Sequence, residues 1–250
     1  MVISIIALLI ALLMPALGLA RENALDTMCK NNLRSLGQVT YVYAQDNDSK
    51  FPDWRTALPT NWNNNRIVKP GRRSTVKAFR PMDRSTLMPY ISTQHTNMLV
   101  CPVFSRLFLN EDLRDIAWTY PMNWNIDPGS ASRYDGEAVD SLDKARNPSN
   151  LGIFVEENGF RLTPLFDPMN DGRTVAPDWP NRNDTLGTFH RPFGRGYASK
   201  LPLIEPDNNL YNGVAFVSFA DGHVDWRDTL QTVATLRDDP AKIKPNQRFR

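Results

Sequence analysis

Residues 2–23 read VISIIALLIALLMPALGLAREN. Nineteen uncharged residues run from position 2 to position 20, and Ser4, Pro15 and Gly18 alone interrupt the aliphatic side chains. That is the length needed to cross a bilayer's hydrocarbon core, about 20 residues. Three readings fit the run: a core helix apolar on all faces, a cleaved signal peptide ending at the small-x-small triplet Gly18-Leu19-Ala20, or a membrane helix that continues into a soluble body. A signal peptide would carry a basic stretch ahead of a shorter apolar segment.

The continuation favours the third. Between Arg21 and Asp46, Leu25, Cys29, Leu33, Leu36, Val39 and Tyr43 recur at steps of three and four and form one apolar stripe. Arg21, Glu22, Asp26, Lys30, Asn32, Arg34 and Gln38 lie between them and are expected to face water. One helix of about 44 residues, about 65 Å long, is predicted. Its first part (1–20) faces lipid all round, and its second (21–48) is amphipathic. Pro15 removes one backbone hydrogen bond and is expected to kink the membrane part, where proline is tolerated. Asp46-Asn47-Asp48 followed by Phe51-Pro52 ends the helix.

The remaining chain is polar. Mean hydropathy is −0.43, and the formal net charge of +2 gives no reason to expect nucleic acid as a partner. Nineteen prolines point to a loop-rich body spanning residues 49–236, followed by a charged tail (237–250). From Pro52 to Pro89 the chain carries Arg66, Lys69, Arg72, Arg73, Lys77, Arg80 and Arg84, read as a solvated loop or as a surface for an acidic polymer. MLVCPVF (98–104) reads as a short apolar strand or turn, and WTYPMNWNI (118–126) as an extended segment with its rings inward. Leu151 to Val155 reads as a buried strand.

The clearest β signal is GVAFVSFADGHVDWR (213–227). Placing a two-residue turn at Asp221-Gly222 pairs Phe219 with Val224 and Val217 with Trp226 on one apolar face. Phe216, Ser218, Ala220, His223, Asp225 and Arg227 then share the other. The fold class is α+β: a long N-terminal helix packed on a small antiparallel sheet with long loops.

No catalytic motif is present: no Gly-x-Ser-x-Gly, no Walker loop, no His-Glu-x-x-His. His95 has no recognisable partner, and Glu156 and Glu157, being adjacent, would point to opposite faces of a strand. A non-enzyme is expected. Asp221 and Asp225, with Glu156, form a weak oxygen-rich set for Ca²⁺, set against solvated carboxylates. Cys29 lies on the helical stripe and Cys101 in an apolar segment. They either form a disulfide tying helix to body or stay as two buried thiols. His190 is expected to pack or hydrogen-bond near the hairpin as a structural residue.

The apolar run, the Cys-x-Asn-Asn-Leu-Arg pattern at 29–34, Cys101-Pro102 and VSFADGHVDW at 217–226 together resemble the type IV pilin-like pseudopilin family. Its planctomycete-type members carry a prepilin-type cleavage and methylation segment and a C-terminal H-X9-DG domain. The resemblance implies a pilin-like fold and a subunit of a type II secretion or pilus-like assembly, anchored once in the inner membrane with its body in the periplasm. It implies other pilin-like subunits as partners through the helix, and prepilin peptidase where a leader lies upstream. It also implies that His190, Asp221 and Gly222 correspond to the family motif, although thirty residues, rather than nine, separate the histidine from the Asp-Gly. The basic leader, the Gly-Phe cleavage point and the first-turn glutamate are missing. Met1 stands where the family has valine, as expected if a GTG codon is read as a start. The different-class alternative is a membrane-tethered or secreted glycan-binding module using Trp and Tyr from loops 54–62 and 118–126.

Overall fold

The computed structural model describes residues 2–58, 85–91, 97–107, 118–123, 126, 139–156, 173–174, 190 and 214–228. The basic cluster between Arg66 and Arg84, His95, Glu157 and the tail lie outside them.

Helix α1 runs unbroken from Val2 to Asp46 and carries Pro15 inside it. Every residue from 2 to 21 is exposed. Burial begins at Cys29 and follows Leu33, Leu36, Gly37, Thr40 and Ala44, a line of three- and four-residue steps. The predicted stripe is therefore correct at its centre. Leu25, Val39 and Tyr43 pack only at its margin; small residues do the close work between helix and body. The Thr40 hydroxyl bonds the Leu36 carbonyl at 3.0 Å and so enters the interior satisfied. The helix ends as Ser49 donates to the Ala44 carbonyl (2.9 Å), with Asp48 and Ser49 in the left-handed region at φ 54° and 61°.

Short helices α2 (Trp54–Ala57) and α3 (Pro102–Leu107) and five strands complete the described body. The strands are β1 (Met122–Asn123), β2 (Gly152–Val155), β3 (Arg173–Thr174), β4 (Val214–Phe219) and β5 (Val224–Asp228). Sheet order is β3-β1-β2-β4-β5. The pairs β1–β2, β2–β4 and β4–β5 are antiparallel, and β3 adds a parallel edge of two residues beside β1. This is the expected α+β layout. Residues 97–104 do not form a strand: a 3-10 turn at 97–99 leads into α3, which Pro102 opens, in keeping with proline's fit to a helix's first turn.

The hairpin's existence is correct but its register is not. Val224 faces Ser218 and Trp226 faces Phe216, one residue from the predicted pairing. A two-residue type I′ turn, the one Asp-Gly favours, needs positive φ at both positions, and here Gly222 has it (φ 89°) while Asp221 does not. The loop takes Ala220 as a third residue, with Gly222 donating to the Phe219 carbonyl and Phe219 to the His223 carbonyl, each at 2.9 Å. A one-residue slip exchanges faces. Phe216, Val224 and Trp226 join the core under α1, while Ala215, Val217 and Phe219 form a second cluster with Val155 on the opposite face.

The slip also seats Ser218 against α1. A Cβ on Gly37 would lie 2.5 Å from the Ser218 Oγ, which has no hydrogen-bond partner among the described residues. In an open helix, alanine would be more stable than glycine by about 0.5–1 kcal/mol. Here Gly37→Ala is expected to destabilise by about 1 kcal/mol through overpacking. In a Ser218→Ala background the same change should turn neutral or stabilising. Urea denaturation of the two single variants and the double variant measures the coupling; additive effects would remove the contact as the reason for Gly37.

Candidate functional site

Four segments converge where α1 first meets the body. Cys29 and Cys101 are bonded as a disulfide, with Cα atoms 5.2 Å apart and a sequence separation of 72. Both are fully buried. Asn32, one turn along α1, donates to the Val100 carbonyl at 3.2 Å, and the Cys101 amide donates to the Thr119 hydroxyl at 2.7 Å. The bridge thus joins two backbones already fixed by polar contacts. Of the two sequence readings, the structure takes the disulfide.

Beside it lies His190, also fully buried. Its carbonyl accepts from the Val214 amide at 3.1 Å, an isolated bridge that sets the residue at the start of β4. Its ring is held from both sides. Nδ1 lies 2.8 Å from Asp26 Oδ1 on α1, and Nε2 lies 2.8 Å from Glu156 Oε1, just past the end of β2. Glu156 is fully buried, and its other oxygen accepts from the Phe216 amide at 2.8 Å. Ionised carboxylates only accept, so with one on each nitrogen both nitrogens donate and the ring is an imidazolium. Burial by itself lowers the pKa of His190; the Glu156 charge and the Asp26 hydrogen bond outweigh it and raise the pKa from 6.5 to about 9. The imidazole packs on Phe216, centroids 4.4 Å apart, and the Lys30 ammonium lies 4.9 Å from the centroid of the same ring.

This arrangement links helix, β2 and β4 through one proton-bearing ring. His190 therefore has the structural part expected of it. Its partners were not expected. Asp26 is directed to His190, with its side chain 20% exposed, and Asn32 also turns to the body. The available signal is that Asp26 precedes Cys29 by three positions and so shares its helical face.

The candidate calcium set is not assembled. Asp225 pairs with Val217 across the hairpin and so belongs to the sheet face away from α1, where Arg227 bonds its carboxylate. Glu156 is engaged on the α1 face with His190. Asp221 accepts from His223 Nδ1 at 2.5 Å at the hairpin tip, and His223 stacks on Phe219 with centroids 4.2 Å apart. The aromatic surface proposed for glycans also fails in part: Trp118 and Tyr120 are buried in the core, while Trp62 and Trp124 lie outside the described residues.

Comparison with protein-family models, curated proteins and solved structures gives no match to this chain.

Proposed function

We propose that the chain is a pilin-like, membrane-anchored structural subunit. The apolar half of α1 lies in the inner membrane, the body stands in the periplasm, and copies associate through the helix in a secretion or pilus-like assembly. The observation that carries this reading is the division of α1. It is long and apolar enough to cross a membrane, and its apolar half is not buried against the body. The same helix, without interruption, forms one wall of the body from Cys29 onward. A rod that is half anchor and half core is suited to carrying a folded body while offering bare apolar sides to other helices. The disulfide supports an oxidising location for the body.

Deleting residues 1–20 is expected to convert a membrane-fraction protein into a soluble, monodisperse body, because residues 2–20 are exposed and make no part of the core. Single cysteines placed along residues 5–17 of the full chain should cross-link copies to one another along one helical face. A full chain that fractionates as soluble removes the anchor. A membrane-bound chain that never cross-links leaves an anchor but removes the assembly.

A further inference from the structure

We propose that the reduced chain binds one zinc ion on Cys29, Cys101, Glu156 and His190, so that metal and disulfide are alternative ties between α1 and the body. The four residues are buried, and their ligand atoms all lie within 4.8 Å of one another. His190 Nε2 is 3.5 Å from Cys101 Sγ and 2.8 Å from Glu156 Oε1. A tetrahedral zinc site with bonds of 2.0–2.3 Å needs ligand atoms about 3.3–3.8 Å apart, so small side-chain rotations suffice once the sulfurs separate. Two thiolates, an imidazole and a carboxylate form a donor set that suits zinc. Four protein donors leave no open position, which makes the site a structural one.

Asp26 strengthens the assignment. Metal-bound imidazoles usually donate their second N–H to a carboxylate, which fixes the ring's tautomer and orientation. Asp26 already accepts from Nδ1 at 2.8 Å, leaving Nε2 directed at the sulfur and carboxylate donors. The chemistry balances in two stages. A dithiol or phosphine reductant supplies two electrons, breaking the S–S bond; two protons complete the thiols, and the reductant leaves as its disulfide or, with water's oxygen, as its oxide. Zinc then displaces three protons, one from each thiol and one from Nε2, with no further electron transfer.

The test uses the full chain in detergent, reduced with a phosphine and titrated with Co²⁺ and then Zn²⁺. The proposal expects one equivalent of Co²⁺, with the near-ultraviolet absorption of thiolate-to-cobalt charge transfer and the visible bands of tetrahedral cobalt. Zn²⁺ should displace the cobalt and protect both cysteines from alkylation, while the oxidised chain binds neither ion. Asp26→Asn keeps an acceptor for Nδ1–H without the charge; it should retain stoichiometry and thiolate bands and weaken binding about ten- to a hundredfold. His190→Ala should lose the tetrahedral spectrum. If circular dichroism shows that reduction unfolds the chain, Co²⁺ or Zn²⁺ should restore its helix and sheet. No uptake by the reduced chain with or without refolding, cobalt bands without thiolate character, equal binding by the oxidised chain, or unchanged affinity in both variants each overturns the proposal.

Discussion

His190→Ala is expected to destabilise the oxidised, metal-free protein by about 3–5 kcal/mol, because it leaves the Glu156 carboxylate buried without its cation. The native clamp should also give stability a distinct pH dependence. The folded protein holds the His190 proton up to about pH 9, against 6.5 for an unperturbed imidazole. Below the lower value both folded and unfolded chains are protonated, and the clamp contributes fully. As pH rises between the two values, the unfolded chain loses its proton first and stability falls. Above the upper value the contribution is gone, a total loss of about 3 kcal/mol. Glu156→Gln separates this effect from packing. Its amide is nearly the same size and can donate to Nε2 of a neutral ring, so the interior stays filled while the charge that raises the histidine is absent. Denaturation midpoints measured from pH 6 to 9.5 should fall steeply for the native chain and much less for Glu156→Gln. Parallel profiles would show that the Glu156 charge does not hold the proton.

Replacing both Cys29 and Cys101 by serine is expected to cost about 4 kcal/mol in the chain-entropy picture of a cross-link, given the 72-residue separation. For a body of this size that corresponds to roughly 10 °C in melting temperature. The serines also place two hydroxyls where the sulfurs were fully buried, so the double variant should lose at least as much as the reduced native chain. Calorimetry of the native protein with and without reductant, beside the double variant, measures the loss. A melting temperature indifferent to reduction would mean that the polar contacts of Asn32 and Thr119 already hold this junction unaided.

The parts legible in the sequence are those in which one local rule decides. The helix follows from an apolar run joined to a three-four stripe without a breaker, and the inward placement of Trp118, Tyr120 and Met122 follows from an apolar, aromatic segment. The sequence leaves the two cysteines either bridged or free, and the structure has them bridged. The hairpin register is not decided by the sequence, because Asp-Gly permits two turn geometries. They differ in whether Asp221 takes positive φ, and alternation alone cannot choose when β4 is buried on both faces. The clamp was less legible still. Asp26, Glu156 and His190 are 164 and 34 positions apart in their two contacts, and charged residues on an amphipathic helix are ordinarily solvated. Folding brings the three together through a strand pairing and a helix docking that no short window of sequence contains.

The disulfide and the clamp both attach α1 near the point where its burial begins, and this decides how the molecule answers a pull. Cys29 lies nine residues beyond Ala20, about 14 Å along the rod. Tension on the apolar end therefore arrives first at a covalent rung and a three-charge lock, before it reaches Leu33, Gly37 or Thr40. The helix cannot peel from the sheet turn by turn; the contact must fail as a block in shear, or not at all while the bridge is intact. Drawn by its anchor in a force spectrometer, the oxidised chain should yield at a markedly higher load than the reduced one, whose rod is free to unzip from the near end.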